Sequence, residues 1–277
     1  MTRILKLYNP DAATDGRPSL PEFVPTPTAE RVFKTLWAVH QLGDLGVVRG
    51  SAGLGKTTAI REYERRHPGV FVFTMSELIR NKQDVAQLIS DRLYISTYSL
   101  FEFAGRLKER LRSSMLEGEE QSFGRWLFVF DEAQHMTLDA VSMLRSISDA
   151  TGAGMVFAGN HGVLRSNRVG SNRSSLRQAP LWTGELAQVK SRVSGWCEIE
   201  GCEPGDVLAF LEACGISAER EDLMAFLWEW AQKPGGLRNV QKILTEALRM
   251  EQGWPFTTES LDAAVDSLAL TAPGRLA

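Results

Sequence analysis

The chain has 277 residues, 43% of them apolar, and a formal net charge of −3 at pH 7. This is the composition of a globular protein with one large or two modest domains. No apolar run approaches the roughly 18 residues of a membrane helix and no signal-peptide core is present, so a cytoplasmic location without membrane contact is expected.

Charge is distributed unevenly along the chain. Residues 1–195 carry 25 basic and 20 acidic side chains, whereas residues 196–277 carry 6 and 14. The acidic second part is therefore a poor nucleic-acid surface, while the first part can hold a local basic patch.

The first half of the chain alternates helical and strand patterns. Residues 1–27 are proline-rich and predict an extended arm, and Thr28 is expected to cap the first helix. Apolar runs predict buried strands that end near Val48 and span 70–74, 126–130 and 154–159; helical spacing marks 77–93, 100–116 and the stretch around Leu144. This alternation predicts an α/β fold, a P-loop NTPase-type parallel sheet sandwiched by helices, with ligands at the carboxyl ends of the strands.

From about residue 204 the strand pattern is replaced by helical periodicity, which is clearest at Leu223, Phe226, Leu227 and Trp230. These spacings predict a small all-helical lid domain. The expected domains are an arm over 1–27, an α/β nucleotide-binding domain over 28–195 and the helical domain over 196–277.

A phosphate-binding loop connects the first strand to the next helix. The segment Gly50-Ser51-Ala52-Gly53-Leu54-Gly55-Lys56-Thr57 matches G-x-x-x-x-G-K-[ST], and Thr58 continues the predicted nucleotide site. The glycines let backbone N–H groups point at phosphates, Lys56 adds a cation for the β and γ oxygens, and Thr57 adds a hydroxyl for Mg²⁺. A glycine-rich turn would share the bare pattern, but the strand before it and the helix after it favour a nucleoside triphosphate site.

Polar residues follow two of the buried strands. Asp131 is placed to hold Mg²⁺ through its water shell and Glu132 to polarise the attacking water, because phosphoryl transfer depends on positioning and charge neutralisation. Asn160, after the next strand, can bond the γ-phosphate and the lytic water. The alternatives are a solvated helix start at Asp131-Glu132 and an ordinary turn at Asn160.

Two arginines are candidates for stabilising charge on the transferring phosphoryl group. Arg192 lies near the end of the α/β part, where it can act across a subunit boundary, and Arg238 opens a helix of the lid. Either could equally be a surface arginine.

In this order the motifs resemble those of the AAA+ ATPases: Walker A at 50–57, Walker B at 130–132, sensor 1 at Asn160, an arginine finger at Arg192 and sensor 2 at Arg238. Within that superfamily, the segments 23–31, 55–63, 131–135 and 158–160 resemble the transposition ATPases, the group of the phage Mu B protein, TniB and TnsC. Residues 1–27 leave no room for the extra N-terminal domain of Mu B, so the TniB/TnsC layout is expected. The resemblance implies ATP and Mg²⁺ as ligands, ATP hydrolysis, ring or helical homo-oligomers, sequence-tolerant binding of double-stranded DNA, marking of target sites and activation of a transposase.

A basic stretch supports DNA contact independently. Residues 150–184 contain no acidic side chain, and a Ser/Asn/Gly-rich segment within them carries Arg165, Arg168, Arg173 and Arg177. Such a loop is suited to contact the phosphate backbone, and Arg80 and Lys82 could line the same channel. The alternative function is an AAA+ ATPase that acts on a protein partner without binding DNA, as in secretion or signalling.

Overall fold

The computed structural model describes residues 20–96, 99–116, 126–161, 192–217, 219–251 and 257–268. Within these ranges the helices and strands follow in the order α1 (Pro27–Leu42), β1 (Leu45–Gly50), α2 (Lys56–Arg66), β2 (Val70–Thr74), α3 (Lys82–Leu93), α4 (Leu100–Leu116), β3 (Leu127–Asp131), α5 (Leu138–Thr151), β4 (Gly154–Gly159), β5 (Val193–Ile199), α6 (Pro204–Ala213), α7 (Glu221–Gln232), α8 (Leu237–Glu251) and α9 (Thr258–Ser267). None of the helices in this part of the chain is long and apolar enough to cross a membrane.

The chain divides into two compact units. The larger comprises Arg31–Ser51 and Lys56–Glu200, and the smaller comprises the residues up to Glu30, Ala52–Gly55 and the residues from Gly201 onward. Each has its own apolar core.

The larger unit is built on a sheet of parallel strands in the order β2-β3-β4-β1-β5. Every residue of β1, β3 and β4 is buried, as expected for strands covered on both faces. On one face, α1 brings Val39 close to Gly46 of β1. On the other, α3, α4 and α5 pack on the apolar side chains of the strands, including Val47. The predicted α/β fold is thereby confirmed.

The strand β5 was not predicted from the sequence. It pairs with β1 at the edge of the sheet, with Gly46 opposite Gly195 and Arg49 opposite Glu198. It spans residues on both sides of the boundary predicted between 195 and 196, and the compact units divide between Glu200 and Gly201.

Two helix starts also differ from expectation. The Thr26 hydroxyl, not that of Thr28, accepts a hydrogen bond from the backbone N–H of Ala29 (3.1 Å) and caps α1, with Pro27 as its first residue. The helix expected over 77–93 begins only at Lys82, because Asn81 and Asp84 form a capping box there.

The smaller unit contains the helices α6 to α9, whose apolar faces meet in a core that includes Leu223, Leu227, Val240 and Leu244. The helical C-terminal region predicted from the sequence is confirmed. Within this unit the fully buried Asp206 accepts hydrogen bonds from the backbone N–H and the hydroxyl of Thr28, both at 2.8 Å. The first turn of α1 is therefore attached to α6.

Candidate nucleotide-binding site

The phosphate loop joins the last residue of β1, Gly50, to the first residue of α2, Lys56. Gly53 and Gly55 have φ of +84° and +80°, in the region that only glycine adopts readily. The loop thus has the backbone conformation for which the motif supplies glycines. Thr57 and Thr58 are exposed in the first turn of α2.

Lys56 is folded back over the loop. Its Nζ donates hydrogen bonds to the carbonyl oxygens of Gly50 (2.9 Å) and Ser51 (2.7 Å), and only 8% of the residue is exposed. The ammonium group is therefore held at the loop by two neutral carbonyl acceptors.

Thr57 and Asp131 come together from different elements. The Thr57 hydroxyl donates to Oδ2 of Asp131 (2.7 Å), and Asp131 is 2% exposed at the end of β3. Burial raises the pKa of the Asp131 carboxyl, while the hydrogen bond from Thr57 opposes this effect. A hydroxyl and a carboxylate oxygen in contact fit Mg²⁺, which prefers oxygen ligands and takes the rest of its shell from water and phosphate.

Glu132 follows directly and has an unusual backbone. Its φ is 55° and its ψ 33°, the left-handed region that is uncommon for a residue with a side chain. A 3₁₀ turn, Ala133–His135, comes next and directs Gln134 back toward Glu132, whose carboxylate accepts a hydrogen bond from the Gln134 amide.

Asn160 lies at the carboxyl end of β4, exposed and next to β3 in the sheet. Its backbone N–H donates to Oε1 of Gln134 (3.2 Å). Asp131, Glu132 and Asn160 thus lie at the carboxyl ends of neighbouring parallel strands, as does Gly50, the last residue of β1.

Arg192 lies at the opposite, amino-terminal end of the strands, directly before β5. Its carbonyl accepts a hydrogen bond from the backbone N–H of Leu45, the first residue of β1, whereas the phosphate loop follows the last. Six residues of strand separate the two ends, roughly 20 Å at the usual rise. The Arg192 guanidinium is 55% exposed and pairs with Asp149 at 3.3 Å.

Arg238 lies in the smaller unit together with the tip of the phosphate loop. Its backbone N–H donates to the carbonyl oxygen of Gly53 (3.1 Å), and its side chain is exposed in the first turn of α8. Gly235 and Gly236, both with positive φ, precede it and allow the close approach.

The residues predicted to contact DNA are only partly described. Arg80 is half-exposed after β2 and pairs with Glu77 (3.3 Å), and Lys82 is the half-buried first residue of α3. Arg165, Arg168, Arg173 and Arg177 lie outside the described residues.

Two features near the loop were missed by sequence analysis. Gln134 lies within the segment 131–135 that resembles the transposition ATPases, but no sequence signal marks its contact with the end of β4. The other is Arg49, 7% exposed, which bonds Glu198 (2.7 Å) and stacks on Trp196 at 4.7 Å. Its position inside a buried strand was a signal that could have been noticed, because arginine is rare there without a partner.

Comparison with known proteins gives two family matches and several relatives. Residues 40–166 match an AAA domain, and residues 191–267 match the C-terminal domain of the Mu B transposition protein. The ATP-dependent target DNA activator B of Escherichia phage Mu is 30% identical over 84% of this chain and 67% of its own length. The Mu-like prophage FluMu DNA transposition protein B of Haemophilus influenzae is 29% identical over 84% of this chain and 74% of that protein.

Solved structures share the fold. RuvB of Thermotoga maritima superposes with a TM-score of 0.50 over 88% of this chain and 69% of that one, at 12% identity. The replication initiator DnaA, bound to AMPPCP and single-stranded DNA, does so with a TM-score of 0.50 over 90% and 68%, at 15% identity. The chain is a P-loop protein with an AAA domain. It belongs to the Mu B family of DNA transposition proteins, which confirms the resemblance found in its sequence.

Proposed function

We propose that this protein is an ATP-dependent, oligomerising DNA-binding ATPase that marks target DNA and activates a transposase. The observation that carries the proposal is the contact between Thr57 and Asp131 beside the phosphate loop, at 2.7 Å. It joins the two polar groups that a Mg²⁺-nucleotide site requires. The family adds the context, since its relatives are named ATP-dependent target DNA activators.

In this proposal the residues from Gly50 to Thr58 bind the triphosphate, with Lys56 turning from the carbonyls of its own loop to the β and γ oxygens. Thr57 and Asp131 hold Mg²⁺, which when bound neutralises charge on the phosphates. Glu132 orients the attacking water, and the Asn160 side chain bonds the γ-phosphate from the neighbouring strand.

The two arginines have different roles. Arg192 is supplied to the nucleotide of an adjacent subunit, because within its own subunit it lies at the other end of β1. Arg238 acts from the first turn of α8, whose backbone contacts the tip of the loop. Both add positive charge around the phosphates during hydrolysis.

DNA is contacted through its phosphate backbone by Arg165, Arg168, Arg173 and Arg177, with Arg80 and Lys82 as additional contacts. Arginines in a segment without acidic residues support this assignment. Because no base-reading motif accompanies them, binding is expected to tolerate any sequence.

The test measures DNA binding and hydrolysis in the same preparations. We expect labelled duplex DNA to bind the wild type with a non-hydrolysable ATP analogue and to bind at least about tenfold more weakly without nucleotide. Lys56→Ala removes the ammonium group of the loop and should abolish both nucleotide and DNA binding. The exposed Lys34 offers a charge-matched control, since Lys34→Ala should leave both intact.

Glu132→Gln completes the series. It should retain nucleotide and DNA binding but lose hydrolysis, because the amide cannot orient water as the carboxylate does. Nucleotide binding and turnover without any DNA binding at low salt would instead favour an ATPase that acts on a protein partner.

A further inference from the structure

Gln134 is a buried polar residue between the ends of two strands. It lies in the 3₁₀ turn after β3 and is 2% exposed. A buried amide must satisfy both its donors and its acceptor, so its partners restrict where it can lie.

Its two described partners are complementary. The Gln134 Nε2 donates to the carboxylate of Glu132, and its Oε1 accepts from the backbone N–H of Asn160 at 3.2 Å. A carboxylate only accepts and a backbone N–H only donates, so the orientation of the amide follows from its partners. One side chain therefore connects the end of β3 to the end of β4.

This connection joins Glu132 and Asn160, two groups to which roles in hydrolysis are proposed above. Glu132 has a left-handed backbone, and its half-buried carboxylate accepts the hydrogen bond from Gln134. Asn160 is exposed at the first position after β4. A shift of about 1 Å in such groups is enough to lower a rate by a factor of the order of 100.

We propose that Gln134 is a positioning residue for ATP hydrolysis, holding the Glu132 carboxylate and the backbone at Asn160 in one geometry. The inference rests on the proposed ATPase function of this site. Gln134 does not touch nucleotide in this assignment. Its substitution should therefore affect turnover and leave ATP affinity unchanged.

The first test is Gln134→Met, which keeps an unbranched side chain of similar length and removes both hydrogen bonds. We expect kcat to fall by at least about tenfold, as for residues that orient a reacting group, with KM for ATP and the affinity for a fluorescent ATP analogue within about twofold of the wild type. Gln87→Met is the matched control, because Gln87 is exposed on α3 and bonds only to Asp91 among the described residues (2.7 Å). It should leave kcat unchanged.

A double-mutant cycle separates positioning from general damage. If Gln134 acts through Glu132 and Asn160, then adding Gln134→Met to a variant that carries both Glu132→Gln and Asn160→Ala should change the residual single-turnover rate by less than about twofold. A further tenfold loss in that background would overturn the inference. Gln134→Glu, which keeps the acceptor for Asn160 but not the donor for Glu132, repeats the test if the methionine variant does not fold.

The outcomes also distinguish a failure of the inference about Gln134 from a failure of the proposed ATPase function. Turnover by the wild type with an unchanged kcat in Gln134→Met would overturn the inference alone. No turnover by the wild type, with Mg²⁺ and DNA present, would overturn the proposed ATPase function and the inference with it.

Discussion

The pKa values of two buried carboxyl groups in the larger unit are shifted in opposite directions. Glu62 of α2 is 8% exposed and accepts hydrogen bonds from Arg65 (2.6 and 2.7 Å) and Arg66 (2.7 Å). The bonds from Arg65, more than any other cause, lower its pKa. Asp131 has no arginine among its described partners, and burial raises its pKa. Its charged form would gain most from a nearby cation, which suits a residue proposed to hold Mg²⁺.

The Glu62 cluster leads to a prediction for stability against pH. Since the folded-state pKa of Glu62 lies below the ordinary value of 4.5, its contribution to stability is present above pH 4.5 and is lost as pH falls through the lowered pKa. Glu62→Gln should reduce the free energy of unfolding by about 1–2 kcal/mol at pH 7 and by less at pH 3. Urea unfolding of both proteins across this range measures the difference.

The exposed pair Glu102 and Arg106 of α4, 4.0 Å apart, provides the comparison. Glu102→Gln should cost less than about 0.5 kcal/mol at pH 7, as surface pairs do. A loss for Glu62→Gln that stays constant from pH 7 to pH 3 would contradict the assignment of its stability to the charged form.

Among the helices and strands, the sequence predicted those that are marked by a pattern of residues within the segment itself. Buried strands appear as apolar runs, so the fully buried β1, β3 and β4 and the mostly buried β2 were found within a residue or two, and the phosphate loop followed from its motif. The strand β5 was missed because it is an edge strand, in which Gly195 and Cys197 are buried while Ser194 and Trp196 are exposed. Its pairing with β1 is a property of the sheet and not of the segment.

The same limit applied to the candidate site. Neighbouring ends of parallel strands could be expected to bring Asp131 and Asn160 together, and they do. The left-handed backbone of Glu132 and the bond from Asn160 to Gln134 could not be predicted, since neither depends on residue pattern or spacing. The position of Arg192 at the amino-terminal end of the strands could not be predicted either, because it follows from β5, which was not predicted.

The helix α1 approaches the sheet so closely at Gly46 that an added methyl group there should lower stability. A Cβ on Gly46 would lie 2.5 Å from Cγ2 of Val39 and 3.1 Å from Cγ2 of Val156, and both side chains are short and branched. Gly46→Ala should therefore lower the free energy of unfolding by about 1–3 kcal/mol. In α4, Gly105 has no atom within 4 Å of its added Cβ, so Gly105→Ala should raise it by roughly 0.5–1 kcal/mol.

Chemical denaturation of Gly46→Ala and Gly105→Ala measures both changes in unfolding free energy. The two variants carry the same substitution and are expected to differ in the sign of its effect. Adding Val39→Ala to Gly46→Ala removes the clashing methyl group, so the two losses should be less than additive. If the losses of unfolding free energy from Gly46→Ala and Val39→Ala were strictly additive, the close approach of α1 would not be the reason for a glycine at position 46.

For the whole molecule, the proposed role of Arg192, which lies far from the phosphate loop of its own subunit, predicts that hydrolysis depends on assembly. If the guanidinium serves the nucleotide of an adjacent subunit, the rate per subunit should rise with protein concentration. Arg192→Ala should lower the rate at saturating concentration by at least about 100-fold while the monomer still binds ATP. Asp149→Asn removes the negative charge that pairs with Arg192 and leaves the arginine itself in place, so this variant should keep the wild-type hydrolysis rate. Normal turnover by dilute, monomeric Arg192→Ala protein would refute a role between subunits.

Assembly also governs the expected response of DNA binding to salt. Each arginine that neutralises a phosphate releases condensed counterion, which gives a log–log slope of about −0.9 per contact. One subunit would present few contacts, whereas the proposed ATP-dependent oligomer would present a row of them along the duplex, so nucleotide should control DNA affinity without touching DNA. Replacing Arg165, Arg168 and Arg173 together should weaken binding to all sequences alike and make the slope shallower, with ATP binding unchanged.

The charge-matched control for this triple variant removes three arginines that already have acidic partners, the exposed Arg106 and Arg249 and the half-buried Arg220. It lowers the net charge equally, so a purely long-range effect would weaken DNA binding to the same extent in both variants. We expect the control to keep both the affinity and the slope, because its arginines are paired within the protein and do not release counterion from DNA. If the first triple variant retains wild-type affinity and slope, the DNA-binding surface lies elsewhere, and Arg80 and Lys82 become the residues to replace next.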